Sequence, residues 1–214
     1  MITQDNTSRD IIDKRDRAAA SVILGLVGFI LGALGIHVVS PRPDTDKDLV
    51  QIVSTALDRG QDFWSRHVTG WHNAKVVLFT SKIGTPCGDA NQMTGPFYCP
   101  ADEHIYLDLA FLRSIKGDLG RAYVIAHELG HHVQHFLRHD AGESLSIELE
   151  ADCYAGEWMR DEWLHGYLKN GEIGEAYNEA SAVGDRGPRE TWTHGDADHR
   201  IASVTKGYST GACQ

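Results

Sequence analysis

The sequence predicts an α+β fold that is mostly helical, with a small sheet, preceded by one N-terminal transmembrane helix. Three observations predict it. A run from Ala18 to Val39 carries no Asp, Glu, Lys or Arg. Only two short segments, "AKVVLFT" and "HIYLDL", have the β-branched or alternating pattern of strands. Most of the remainder repeats its apolar residues at helical spacing. The apolar fraction of 42% suits a packed core. The formal net charge of −10 opposes non-specific attraction to nucleic acid. No stretch interleaves aromatic residues with Lys and Arg, so no nucleic-acid partner is expected.

Residues 1–17 read as a charged cytoplasmic tail without structure. Residues 18–39 are long enough to cross a hydrocarbon layer of about 30 Å at about 1.5 Å per residue. Arg9, Lys14, Arg15 and Arg17 precede the run, against Arg42 and Lys47 among aspartates after it. The positive-inside rule then places the N-terminus in the cytoplasm and the later residues in the periplasm or outside the cell. A cleaved signal peptide ending near Ala33-Leu34-Gly35 is the alternative. Gly28 and Gly32 offer a weak small-xxx-small face for a homodimer. Residues 40–48, "SPRPDTDKD", read as a linker, and 49–214 as one folded domain.

Within that domain, Leu49–His67 has helical spacing, with Gly60 as a candidate kink. The strands at 74–80 and 104–109 flank a turn-rich loop, "CGDANQMTGPFYC". A short helical segment stops at Gly117. A histidine-rich helix spans 119–138, a long helix follows through "GESLSIELEADCYAGEWMRDEWLHGYL", another covers "IGEAYNEASAV", and a last one begins where Asp196 can cap it. Four cysteines outside the cytoplasm suggest two disulfides. The preferred pairs are Cys87–Cys99, closing a short loop, and Cys153–Cys213, tying the tail to a helix. No C-x-x-C spacing supports a cysteine zinc site.

The chemistry concentrates in "RAYVIAHELGHHVQHF". His127 and His131 lie four apart and share a helix face, so both rings can reach one ion. Glu128 sits beside them in H-E-x-x-H, where a general base can take a proton from water activated by that ion. Gly130 lets another segment approach closely. His132 points about 100° away from His131, and His135 lies about 12 Å along the helix from His127. These two and His139 are read as surface or supporting residues. Leu137 occupies the place of a metzincin's third histidine, so that class fails.

The third ligand comes from "SIELEADCYAG", where Glu148 and Glu150 compete. Glu148 is preferred because Asp152 lies four residues on, on the same face. There it can accept the N–H of a ligating histidine and fix its tautomer. Two histidines and a glutamate with an open fourth position form the catalytic rather than the structural zinc pattern. One Zn2+ is the expected cofactor.

"CGDANQMTGPFYCPADEHIYLDLAF", "HELGHHVQ", "ELEADCYAGEW" and "HGDADHR" together resemble the bacterial putative neutral zinc metallopeptidases, over roughly residues 42–214. The resemblance implies a zincin-like fold, zinc, and hydrolysis of peptide or protein substrates by a membrane-anchored, gluzincin-like enzyme. It carries over to His127, Glu128, His131 and Glu148, with Asp152 in support. The family more often has Ser where this chain has Asp196. His194, just before a helix start, is the candidate oxyanion donor by that resemblance, with Tyr98 and Tyr106 as alternatives. The strand at Ile105–Leu107 could receive a substrate backbone. Two other functions compete: a zinc-stabilised scaffold binding envelope partners, and a non-peptidase zinc amidohydrolase.

Overall fold

The computed structural model describes residues 8–15, 46–91, 95–139, 144–169, 171–186 and 194–213. Ala18–Val39, with Gly28 and Gly32, lies outside them. Among the described residues, no helix is long and apolar enough to cross a membrane.

The elements run β1 (Ile11–Asp13), α1 (Asp46–His67), β2 (Lys75–Phe79), β3 (Lys82–Thr85), β4 (Gly88–Asn91), β5 (Phe97–Cys99), β6 (His104–Asp108), α2 (Leu109–Ser114), α3 (Asp118–Leu137), α4 (Ser144–Leu164), α5 (Ile173–Ala182) and α6 (Ala197–Thr210). The architecture is mostly helical with small sheets, as the sequence predicts. The main sheet has the order β1-β2-β6-β5, and β3-β4 form a separate hairpin. β1 and β6 both run parallel to β2, while β5 runs antiparallel to β6.

Alternation along β2 and β6 divides the core between the two faces of the sheet. Val76, Leu78, Ile105 and Leu107 join the large cluster with α1, α3 and α4. Val77, Phe79 and Tyr106 face a smaller cluster with Ala90 and Cys99. Burial on both faces explains why "KVVLF" is a continuous apolar run.

Two expectations at the N-terminal end are corrected. Residues 8–15 are not a structureless tail. Ile11–Asp13 pair with Val76–Leu78, and the Asp10 carboxylate accepts from Gln61 and Asn73 at 3.2 and 2.9 Å. Two adjacent isoleucines suit a strand that covers an otherwise open sheet edge; the charges around them hid that signal. The linker is also shorter than 40–48, since α1 already begins at Asp46. Asp46 and Asp48 lie in its first turn, where the helix dipole favours negative charge.

Close helix approach sets the geometry of the α3–α4–α6 half. A Cβ at Gly130 would come 2.9 Å from the Ala151 carbonyl oxygen, so this glycine of α3 allows α4 to pack directly on the metal helix. Gly156 of α4 and Gly207 of α6 make a second close approach, and a Cβ at Gly207 would overlap the Cys153 carbonyl. Helix propensity alone would favour Ala at position 207 by about 1 kcal/mol, but the backbone clash reverses the sign. Gly207→Ala is expected to lose about 1–3 kcal/mol, read as a lower denaturant midpoint.

Both preferred disulfides are formed, Cys87–Cys99 and Cys153–Cys213. The second crosses 60 residues of sequence and fastens the chain beyond α6 to α4. Asp196 caps α6 by accepting from the His199 backbone N–H at 3.0 Å.

Candidate metal centre

One helix and its close neighbour build the site. His127 and His131 stand one turn apart on α3, their ring centroids 4.8 Å apart. Glu148 comes from the first turns of α4. Its Oε2 lies 3.2 Å from His127 Nε2, and its Oε1 lies 3.5 Å from His131 Nε2. A tetrahedral ion with bonds of about 2.0–2.1 Å needs ligand atoms about 3.3 Å apart. The two measured separations fit that requirement.

Supporting bonds fix both tautomers. His127 Nδ1 donates to Asp152 Oδ1 at 2.8 Å, and His131 Nδ1 donates to Gln134 Oε1 at 2.9 Å. Each ring therefore turns an unprotonated Nε2 towards the ion position. Glu150 is engaged elsewhere: it accepts from Gln134 Nε2 at 2.9 Å and from Tyr154 Oη at 3.2 Å.

Asp152 is fully buried and anchors a network. Arg200 of α6 donates twice to it, from Nε and Nη2, each at 2.8 Å, and Tyr123 Oη donates at 2.5 Å. Burial works against the charge on Asp152, yet the His127 and Arg200 charges hold its pKa down at about 2. The same surroundings set the other groups. Burial pushes His127 down, but Asp152 and Glu148 carry it up to about 10. His131 falls to about 4 through burial and the neighbouring His127 charge. Glu148 reaches about 2 despite burial, held there by the His127 hydrogen bond and the charges of both rings. A buried carboxylate and a half-buried one facing two imidazoles favour a cation, and in metal-free protein a proton on His127 supplies it. The donor set of two nitrogens and a carboxylate suits zinc.

Glu128 lies in the same cleft, which encloses about 520 Å³. Its carboxyl accepts from the Tyr98 backbone N–H, and burial, reinforced by the Glu148 charge, raises its pKa to about 7. Among the described residues, its Oε2 is buried without a hydrogen-bond partner. Such orphaned acceptors are uncommon and mark a place for a ligand.

His194 lines this cleft too. Asp185 holds its turn, accepting from the N–H groups of His194 and Gly195 at 2.8 and 3.0 Å. Tyr106 does not reach the cleft; it donates to Asp102 and stacks on Phe97 in the smaller cluster. Of the remaining histidines, His135 stands at the cleft, 3.9 Å from Glu103, and His139 lies 3.4 Å from Glu150. His132 is completely buried rather than at the surface. Sequence reasoning missed Gln134, Tyr123 and Arg200. Gln134 was within reach, three residues after His131 on the same helix. Arg200 was not, because its partner lies 48 positions away.

The sequence profile of the family described as putative neutral zinc metallopeptidase matches residues 36–214. The chain belongs to this family. Among its relatives, the uncharacterized protein YpfJ of Escherichia coli is 32% identical over 207 residues, covering 81% of this chain and 71% of its own. An uncharacterized Mycobacterium tuberculosis protein is 36% identical over 184 residues, covering 69% of this chain and 63% of its own. No solved structure gives a significant match. The family name points to a hydrolase of the zinc metallopeptidase class, and the His127-His131-Glu148 group is the one set among the described residues able to hold such an ion.

Proposed function

We propose that this metallopeptidase family member hydrolyses peptide bonds, with one zinc ion held by His127, His131 and Glu148. The observation that carries the reading is Glu128. One carboxyl oxygen is tied to the Tyr98 N–H and the other is buried and free beside the three ligands. A scaffold that only stores zinc has no need of that carboxylate. Bound there, zinc supplies a Lewis acid that polarises a carbonyl and lowers the pKa of water towards about 7. Glu128 takes the proton of the attacking water on Oε2 and returns it to the departing amine. Asp152 and Gln134 keep the ligand rings oriented throughout. His194, which lines the cleft, is our candidate donor to the developing oxyanion.

The substrate backbone is best received by β5. The expected acceptor, Ile105–Leu107, sits inside the sheet between β2 and β5. β5 is the edge strand, it borders the cleft, and strand addition there supplies affinity without regard to side chains. The two disulfides favour an oxidising compartment, and the chargeless Ala18–Val39 run favours attachment to a membrane.

Purified protein incubated with a peptide library is expected to cleave it, to stop when a chelator strips the ion, and to recover on stoichiometric zinc. Cleavage that survives complete metal removal would refute the reading.

A further inference from the structure

The fourth histidine-helix residue of note, His132, has no place in metal binding, yet no histidine among the described residues is more completely buried. Its two nitrogens are both engaged. Nε2 lies 3.0 Å from the His72 carbonyl oxygen, and Nδ1 lies 3.0 Å from Tyr98 Oη. A carbonyl can only accept, so Nε2 carries the proton. The neutral ring then presents Nδ1 as an acceptor, and the Tyr98 hydroxyl must donate to it. Trp71, Phe136 and Tyr98 pack around the ring at centroid distances of 4.8, 6.3 and 5.3 Å.

Tyr98 is the central residue of β5. That strand is three residues long and pairs on one side only, with β6. So short an edge strand is marginal without other anchors. Cys99 fastens one end through its disulfide to Cys87. The Tyr98 side chain supplies the other anchor, reaching inward to the metal helix. The same residue gives its backbone N–H to Glu128. One side chain on α3 therefore holds the residue that both borders the cleft and steadies the proton-transferring carboxylate.

We propose that His132 is a positioning residue: through Tyr98 it fixes the substrate-receiving strand β5 against the metal helix. The proposal rests on the peptidase reading for its kinetic consequence, but not for its structural one. Tyr98→Phe removes the hydroxyl and His132→Phe removes both ring nitrogens. Gln at position 132 keeps one acceptor and one donor at a spacing close to that of the ring nitrogens, so His132→Gln preserves the clamp.

The test uses the full chain loaded with zinc. All three variants retain the metal. For Tyr98→Phe and His132→Phe, kcat/KM falls on the order of tenfold, a hydrogen bond's worth of binding, and most of the loss is in KM. His132→Gln recovers most of it. A general loss of folded protein would lower apparent kcat and leave KM alone. Hydrogen–deuterium exchange is the second arm: the β5 amides exchange faster in both phenylalanine variants and at the wild-type rate in His132→Gln. Unchanged KM together with unchanged β5 exchange overturns the clamp. If wild-type protein binds zinc but cleaves nothing, the peptidase reading fails while the exchange arm still decides the clamp.

Discussion

Glu128→Gln is expected to keep zinc and lose turnover by about 10²–10⁴-fold, the usual contribution of a positioned acid–base group. The amide cannot take a proton, and the ligands at 127, 131 and 148 are untouched. The same variant should differ in stability, with a sign fixed by the environment. In metal-free protein, burial raises the Glu128 pKa from 4.5 to about 7. An acid whose folded pKa is raised favours the fold below its unfolded pKa, and that advantage disappears as pH rises through the folded value. Metal-free wild type should therefore lose stability relative to Glu128→Gln between about pH 4.5 and about pH 7, with the difference constant above that. Denaturant midpoints at pH 5 and pH 8.5, with metal content and kcat, check both halves. Glu128→Gln that cleaves peptides as fast as wild type would remove Glu128 from the mechanism.

Arg200→Leu is expected to cost about 3–5 kcal/mol of stability and to weaken zinc binding by about 10–100-fold. Arg200 is buried and donates through two nitrogens to Asp152, which is buried in turn. Removing the guanidinium leaves a charged carboxylate in the core with only His127 and Tyr123 to satisfy it. Its pKa then rises, and it holds the His127 ring less firmly. Arg200→Lys should recover little, since a single ammonium cannot reproduce a two-pronged contact. Chemical denaturation and competition for zinc with a chelator measure the two effects separately. A zinc affinity equal to wild type would show that Asp152 orients His127 without help from α6.

The helices were legible because their apolar residues repeat at helical spacing. Periodicity placed α1, α3, α4 and α5 within a few residues, and Asp196 marked the start of α6. The two histidines followed from i, i+4 geometry, and the choice of Glu148 followed from the Asp one turn on. Four strands were invisible. β1 has three residues set among charges, β5 has three, and the β3-β4 hairpin contains two glycines, Asp89 and Asn91, all of low strand propensity. β3, β4 and β5 pair with near neighbours in sequence but are too short and too poor in strand formers to show a pattern, whereas β1 depends on a partner far along the chain, which no local pattern reveals. The same limit hid Arg200 and the burial of His132. Both are explained by residues 48 to 60 positions away.

β1 bears on how the chain can meet a bilayer. Arg15, just past that strand, lies 3.3 Å from Asp46 at the start of α1, so these two residues are held together. A single traverse between those two residues would put Ile11 and Val76 on opposite sides of the lipid and dissolve their pairing. Docked β1 and a once-through passage are therefore mutually exclusive topologies. In any molecule where the strand is seated, residues 11–13 lie on the same side of a bilayer as the sheet they join.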